Sequence, residues 1–146
     1  MQFISQRQQV VEAGRQMARA ALAVGTWGNL SCRLPNNLMA ITPSGMDYTQ
    51  LEPEDIVVVD LLGNLADGAR KPSSEIRLHL AIYRQRPDVR AIVHTHSVYA
   101  STCAVAGKAV PPMVEDLVQI VGGGVDVAPY ALPGTDEVAA NAVQFL

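Results

Sequence analysis

The sequence predicts a single α/β domain whose mixed or antiparallel sheet is covered by helices, and three observations carry that prediction. Helical and strand-like patterns alternate along a chain of 146 residues, about the length of one domain. Several connections between strand-like runs are hairpin-short, whereas parallel neighbours need a long crossover. A composition of 49% apolar and 17% charged residues supplies both a core and a soluble surface, which excludes whole-chain disorder. No repeat, low-complexity tract or linker interrupts the pattern.

The elements follow in order. Val10, Val11, Gly14, Met17, Ala18, Ala21 and Leu22 recur at steps of three and four, with Arg7, Glu12, Arg15 and Arg19 off that stripe. This is the pattern of an amphipathic helix, with Ser5 placed to cap its start and Gly25 to stop it. Leu38–Thr42 and Ile56–Asp60 suit strands, and Leu62-Gly63-Asn64 suits a hairpin turn. A second helix is expected from Ser74 to Gln85, ended by Pro87, and a buried strand over Arg90–Thr95. Helices at about 97–106 and 114–121, a strand at 125–128 and a last helix from Thr135 complete the reading.

Composition excludes several function classes. Eleven Lys and Arg against 14 Asp and Glu leave a net charge of −3. Residues 1–40 hold four Arg and one acid, while residues 101–146 hold one Lys and five acids. No cluster of basic residues with interleaved aromatics occurs, so nucleic acid is not an expected partner. Cys32 and Cys103 form no CxxC pair and support neither a disulfide framework nor a zinc knuckle, as in a reducing compartment. The N-terminus has no apolar h-region, and no run reaches the roughly 18 apolar residues of a membrane span. A cytoplasmic protein with no membrane partner is expected.

Three histidines occur: His79, His94 and His96. His94 and His96 close the strand-like AIVHTHS, and residues i and i+2 of a strand face the same way, so both imidazoles can address one ion. A zinc site normally takes at least three protein ligands, so a carboxylate is needed. Glu75, in RKPSSEIRLH, is a candidate; as an acid at a helix start it also suits the helix dipole. His79 lies four residues on, on the same helix face, where its spacing fits a ligand and its Leu78–Leu80 context fits packing equally well. Three polar turns, the first two with glycines (Gly25–Ser31, Thr42–Met46 and Pro72–Ser74), offer backbone N–H groups and hydroxyls suited to a phosphate, although no Walker loop occurs.

In this order, GTWGNLS, ITPSGM, KPSSE, AIVHTHS and GTDE after APYALP resemble the class II aldolase/adducin family, closest in style to its fuculose-phosphate aldolase branch. The resemblance runs from the first helix to the end of the chain. It implies a three-layer α/β/α sandwich with a largely antiparallel central sheet, in one domain over residues 1–146. It assigns Gly28, Asn29, Ser44, Gly45, Ser73 and Ser74 to substrate phosphate binding. It also assigns Glu75, His94 and His96 to zinc or another divalent metal, with Glu75 also the catalytic base. The implied enzyme is a metal-dependent lyase that cleaves a ketose 1-phosphate to dihydroxyacetone phosphate and an aldehyde. Family members resemble one another in forming homotetramers with active sites at subunit interfaces. A pentulose-phosphate 4-epimerase, a methylthioribulose-phosphate dehydratase and a non-catalytic adducin-like scaffold are the alternatives.

Two departures from the family pattern stand out. No histidine follows His96, whereas the family has a third histidine ligand soon after the GTDE helix, so the C-terminal part of the domain is expected to be missing. Where the aldolase branch has a tyrosine proton donor, this chain has Pro112–Leu117, with Glu115 or Asp116 at about that place.

Overall fold

The computed structural model describes residues 1–146. Helix α1 (Ile4–Arg19) is followed by strands β1 (Asn29–Leu34), β2 (Leu38–Ile41), β3 (Val57–Asp60) and β4 (Leu65–Asp67). Then come helix α2 (Ile76–Gln85), strand β5 (Ala91–His94), helix α3 (Val98–Val105) and helix α4 (Asp136–Val143). The strands form one sheet in the order β4-β3-β2-β1-β5, and every neighbouring pair is antiparallel.

Strand alternation divides the core into two layers. Leu30, Leu34, Ala40 and Val58 face α1, where Val10, Val11 and Met17 bury the predicted stripe. Met39, Ile41, Val57 and Val59 face the other way, onto Leu80 and Tyr83 of α2. Because both faces of β2 and β3 are covered, these strands are apolar without a polar alternate. Helix α4 lies against α2. The result is the expected α/β/α arrangement.

Several expectations are corrected. Helix α1 starts after Phe3, which takes the left-handed N-cap position, so Ser5 lies inside the helix. It stops at Arg19 rather than near Gly25, because its buried stripe ends at Met17 and Ala21 turns to φ 54. Arg7, expected off the stripe, is buried. Its guanidinium donates to the Gln2 and Ile56 carbonyls and to the Asp67 carboxylate, which satisfies the charge inside. Strand β5 is a sheet edge, bonded only to β1, and Val93 is 55% exposed rather than buried. The segment expected to be helical at 114–121 is helical over 115–121, but its Leu117–Val121 part is a π-helix that ends at Gly122. The strand expected at 125–128 is reduced to one bridge, Val110 to Val125. No helix is long and apolar enough to cross a membrane.

Candidate active site

Two hydrogen-bonded junctions assemble the site from segments far apart in sequence. At the first, Asn29 begins β1 directly opposite His94, the last residue of β5, and the His96 amide donates to the Leu22 carbonyl at 2.9 Å. The turn ahead of β1 is thereby laid against the His-x-His segment. Gly28 has φ +74, and a Cβ there would stand 2.7 Å from the His94 carbonyl oxygen, so the close approach requires glycine. The Tyr48 hydroxyl donates to the Gly28 carbonyl at 2.6 Å; burial pushes this phenol up to about 12, keeping it a donor.

The second junction prolongs β2. The Leu30 amide donates to the Thr42 hydroxyl at 3.1 Å, and the Thr42 amide donates to the Leu30 carbonyl at 3.0 Å. Beyond it the Ser73 amide reaches the Thr42 carbonyl and the Ser44 amide the Lys71 carbonyl, each at 3.0 Å. Pro43 and Pro72 sit opposite each other between these bonds, a place where neither needs an N–H. The second and third polar turns are therefore clamped side by side. Gly134 of the GTDE segment adds a further wall: at φ +77 it approaches the Ser74 carbonyl so closely that a Cβ would stand 3.0 Å from it.

These junctions enclose an open cleft of about 450 Å³, within the size range of small-molecule sites. Gly28, Asn29, Ser44, Gly45, Ser73 and Ser74 all line it, together with Thr26, Trp27, Glu75 and His96. All six residues expected to meet phosphate thus share one cavity. It contains no Lys or Arg, so hydroxyls, an amide and backbone N–H groups are its donors. Glu75 is its one carboxylate. Thr26 and Trp27 belong to the first polar turn, but the sequence offered no reason to single them out from its other residues.

Glu75 occupies the N-cap of α2, where its own amide donates to the Ser73 hydroxyl at 3.2 Å. Its Oε2 touches Nδ1 of His94, and the Asn29 amide donates to the same oxygen at 3.4 Å. Contact with His94 is the main cause that lowers the Glu75 pKa, against the opposing effect of burial, with Asn29 and the more distant His96 adding to it. The His94 and His96 rings stack with centroids 5.1 Å apart, on one side as the i, i+2 spacing predicts. Trp27 leans on His96 at 5.4 Å. Burial, then the neighbouring His94, lower the His96 pKa.

The donor chemistry fits a divalent metal. Two imidazoles and a carboxylate are zinc-type ligands. Nδ1 of His94 is buried against the Glu75 carboxylate oxygen, so two donor atoms of the kind zinc takes are already neighbours. Yet no three His, Cys, Asp or Glu side chains stand in ligating positions. The two rings lie face to face rather than aimed at one point.

The remaining candidates lie elsewhere. His79 is fully buried and bonded to Ser31 and Asn29, so it is a core residue and not a ligand. Glu115 and Asp116 are exposed, outside the cleft; Glu115 accepts from Gln119 at 2.6 Å.

Fold and cleft together are those of a class II aldolase-type domain with a cleft of small-molecule size. The profile of the Class II Aldolase and Adducin N-terminal domain matches residues 8–146, and the chain belongs to that family. It is 42% identical over 140 residues to a 5-deoxy-D-ribulose 1-phosphate aldolase of Bacillus thuringiensis serovar kurstaki, covering 95% of this chain and 65% of that relative. It is 39% identical over 140 residues to a 5-methylthioribulose-1-phosphate/5-deoxyribulose-1-phosphate aldolase of Rhodospirillum rubrum, covering 96% of this chain and 62% of the relative. A solved L-fuculose 1-phosphate aldolase superposes with a TM-score of 0.91 at 40% identity, over 96% of this chain and 66% of that one. The chain spans a little under two thirds of the length of the two curated relatives.

Proposed function

We propose that the protein acts as a metal-dependent aldolase that cleaves a ketose 1-phosphate, of the 5-deoxyribulose 1-phosphate type, to dihydroxyacetone phosphate and a short aldehyde. The observation that carries this reading is the meeting of Glu75 with a cleft of neutral phosphate donors. The sugar type rests on the names of the two relatives at 42% and 39% identity, which favour a lyase over the epimerase, dehydratase and scaffold readings.

The chemistry needs two positions held at once. Retro-aldol cleavage breaks the C3–C4 bond: the C4 hydroxyl loses its proton as C4 becomes the aldehyde, and the electron pair stays on C3 of the phosphorylated fragment. The fragment is complete when C3 gains a proton. Ser44, Gly45, Ser73, Ser74 and Asn29 hold the phosphate and fix the carbon chain beside Glu75. Glu75 is the carboxylate placed to carry that proton. Its Asn29 and Ser73 contacts keep it at the cleft wall. A divalent ion such as zinc, held by Glu75, His94 and His96, would supply Lewis-acid stabilisation of the negative charge that develops on the fragment.

We further propose a cytoplasmic homo-oligomer, a tetramer by resemblance. Tyr99, Val105, Met113 and Ile120 are each at least 80% exposed, apolar surface of the kind that assembly covers.

The test supplies the chelated protein with zinc and 5-deoxyribulose 1-phosphate, then separates the products. Dihydroxyacetone phosphate with acetaldehyde is expected. An epimer or a dehydrated sugar phosphate in their place would overturn the reading.

A further inference from the structure

We propose that His79 is a positioning residue: from inside the core it holds the Asn29 side-chain amide with its NH2 group toward Glu75 and the cleft, so that an incoming anion meets a donor there. The inference rests on the phosphate reading of the cleft and adds a residue which that reading does not use.

The geometry is a continuous relay through the sheet. The Tyr83 hydroxyl lies 2.9 Å from Ser31 Oγ, and Ser31 Oγ lies 2.6 Å from His79 Nδ1. His79 Nε2 lies 2.5 Å from Asn29 Oδ1, and Asn29 Nδ2 reaches Glu75 Oε2 at 3.4 Å. Each proton along this line has one consistent place. The ionised Glu75 carboxylate only accepts, so Asn29 turns its NH2 to it. Asn29 Oδ1 then faces His79 and needs a donor, which is Nε2–H. Burial lowers the His79 pKa to about 4, so the ring is neutral at pH 7 and its Nδ1 is a bare acceptor. Ser31 donates to that nitrogen, and its oxygen accepts from the Tyr83 hydroxyl. Tyr83, pushed up to about 12 by burial, keeps its proton.

The opposite tautomer would reverse the line. A bare Nε2 would call for the Asn29 NH2, turning Oδ1 toward Glu75 and setting two acceptors face to face. The tautomer protonated at Nε2 is thus the one that agrees with Glu75, and it locks the amide in that orientation, while Ser31 and Tyr83 satisfy the bare Nδ1. One hydrogen of the Asn29 NH2 goes to Glu75. The second remains for an anion in the cleft that Asn29 lines. Asn29 is 5% exposed and His79 fully buried, so water does not substitute freely for either partner.

The experiment uses inorganic phosphate as probe, with binding measured by calorimetry, beside aldol-cleavage kinetics and 15N spectra of the imidazoles. The loss of one buried, polarised donor corresponds to roughly a tenfold weakening. His79→Leu is expected to weaken phosphate binding by about that factor and to raise KM more than it lowers kcat. His79→Gln keeps an N–H donor toward Asn29 and is expected to restore most of the affinity. The spectrum of the unmodified protein should show His79 neutral and protonated at Nε2, and Ser31→Ala should blur that preference. A folded leucine variant with unchanged phosphate affinity overturns the inference. So does His79 protonated at Nδ1, or unmodified protein that does not bind phosphate. If His79→Leu does not fold, the tautomer and Ser31→Ala still decide. If phosphate binding depends on His79 but no sugar phosphate is cleaved, this inference stands and the aldolase reading fails. If cleavage proceeds and the leucine variant is indistinguishable from the parent, the reverse holds.

Discussion

Asn29 and His94 are register partners on adjacent antiparallel strands, so one pairing sets the polar turn before β1 against the histidines after β5. Gly28 is the contact point, with no room for a Cβ against the His94 carbonyl. Gly28→Ala is expected to cost about 1–3 kcal/mol, from a non-glycine at positive φ plus the clash, and to weaken phosphate binding because the turn must move. Thermal unfolding and phosphate titration check both effects. Unchanged values for both would show that the turn and the strand are not coupled.

Glu75→Gln keeps the shape of the side chain but removes its charge and basicity. Cleavage is expected to fall at least about 100-fold. Phosphate affinity should be kept or improved, because an anion in the cleft loses a repulsive neighbour. Kinetics alongside phosphate titration separates the two effects, and loss of binding together with loss of rate would mean that Glu75 mainly holds the cleft together.

Ser73 has two tasks: its hydroxyl accepts from the Glu75 amide and faces the cleft. Ser73→Ala is expected to raise KM for a sugar phosphate roughly tenfold, the value of a charge-assisted hydrogen bond, and to loosen the start of α2. Ser44→Ala, at an exposed position, should raise KM without a change in melting temperature. The contrast between the two melting curves checks the assignment.

His79 also makes stability depend on pH. Its folded pKa is lowered from 6.5 to about 4, so between those values the unfolded chain binds more protons than the folded one. Its contribution is therefore complete above about pH 6.5 and is lost as pH falls toward 4; the full effect is roughly 3 kcal/mol. Denaturant melts across this range should show the fall in the parent and a flatter profile in His79→Gln. Parallel profiles would contradict a neutral, buried His79.

The polar turns and the His-x-His segment that meet at the cleft were legible in the sequence because their chemistry is contiguous: Pro72–Glu75 holds donors and carboxylate together, and His94 and His96 are two residues apart. Strand β1 was not, because it starts on the polar residues of a turn and its identity comes from β2 and β5, partners distant in the chain. Strand β4 was hidden by its length of three residues, although the hairpin turn before it was visible. The expected burial of β5 failed for a related reason: Ala91–His94 has the composition of an inner strand, but only β1 pairs with it. His79 shows the limit most clearly. Its i+4 spacing from Glu75 fits a ligand and a core residue alike, and the choice was made by Ser31 and Asn29, brought to it by the sheet.

The most direct test of the central claim is a divalent-metal titration of the chelated protein in the presence of 5-deoxyribulose 1-phosphate, with dihydroxyacetone phosphate measured as it forms. Cleavage that is absent without metal, restored by zinc or another divalent ion, and lost in both His94→Ala and Glu75→Gln is the predicted result. Cleavage at full rate without metal, or undiminished in those variants, would contradict the account of this site.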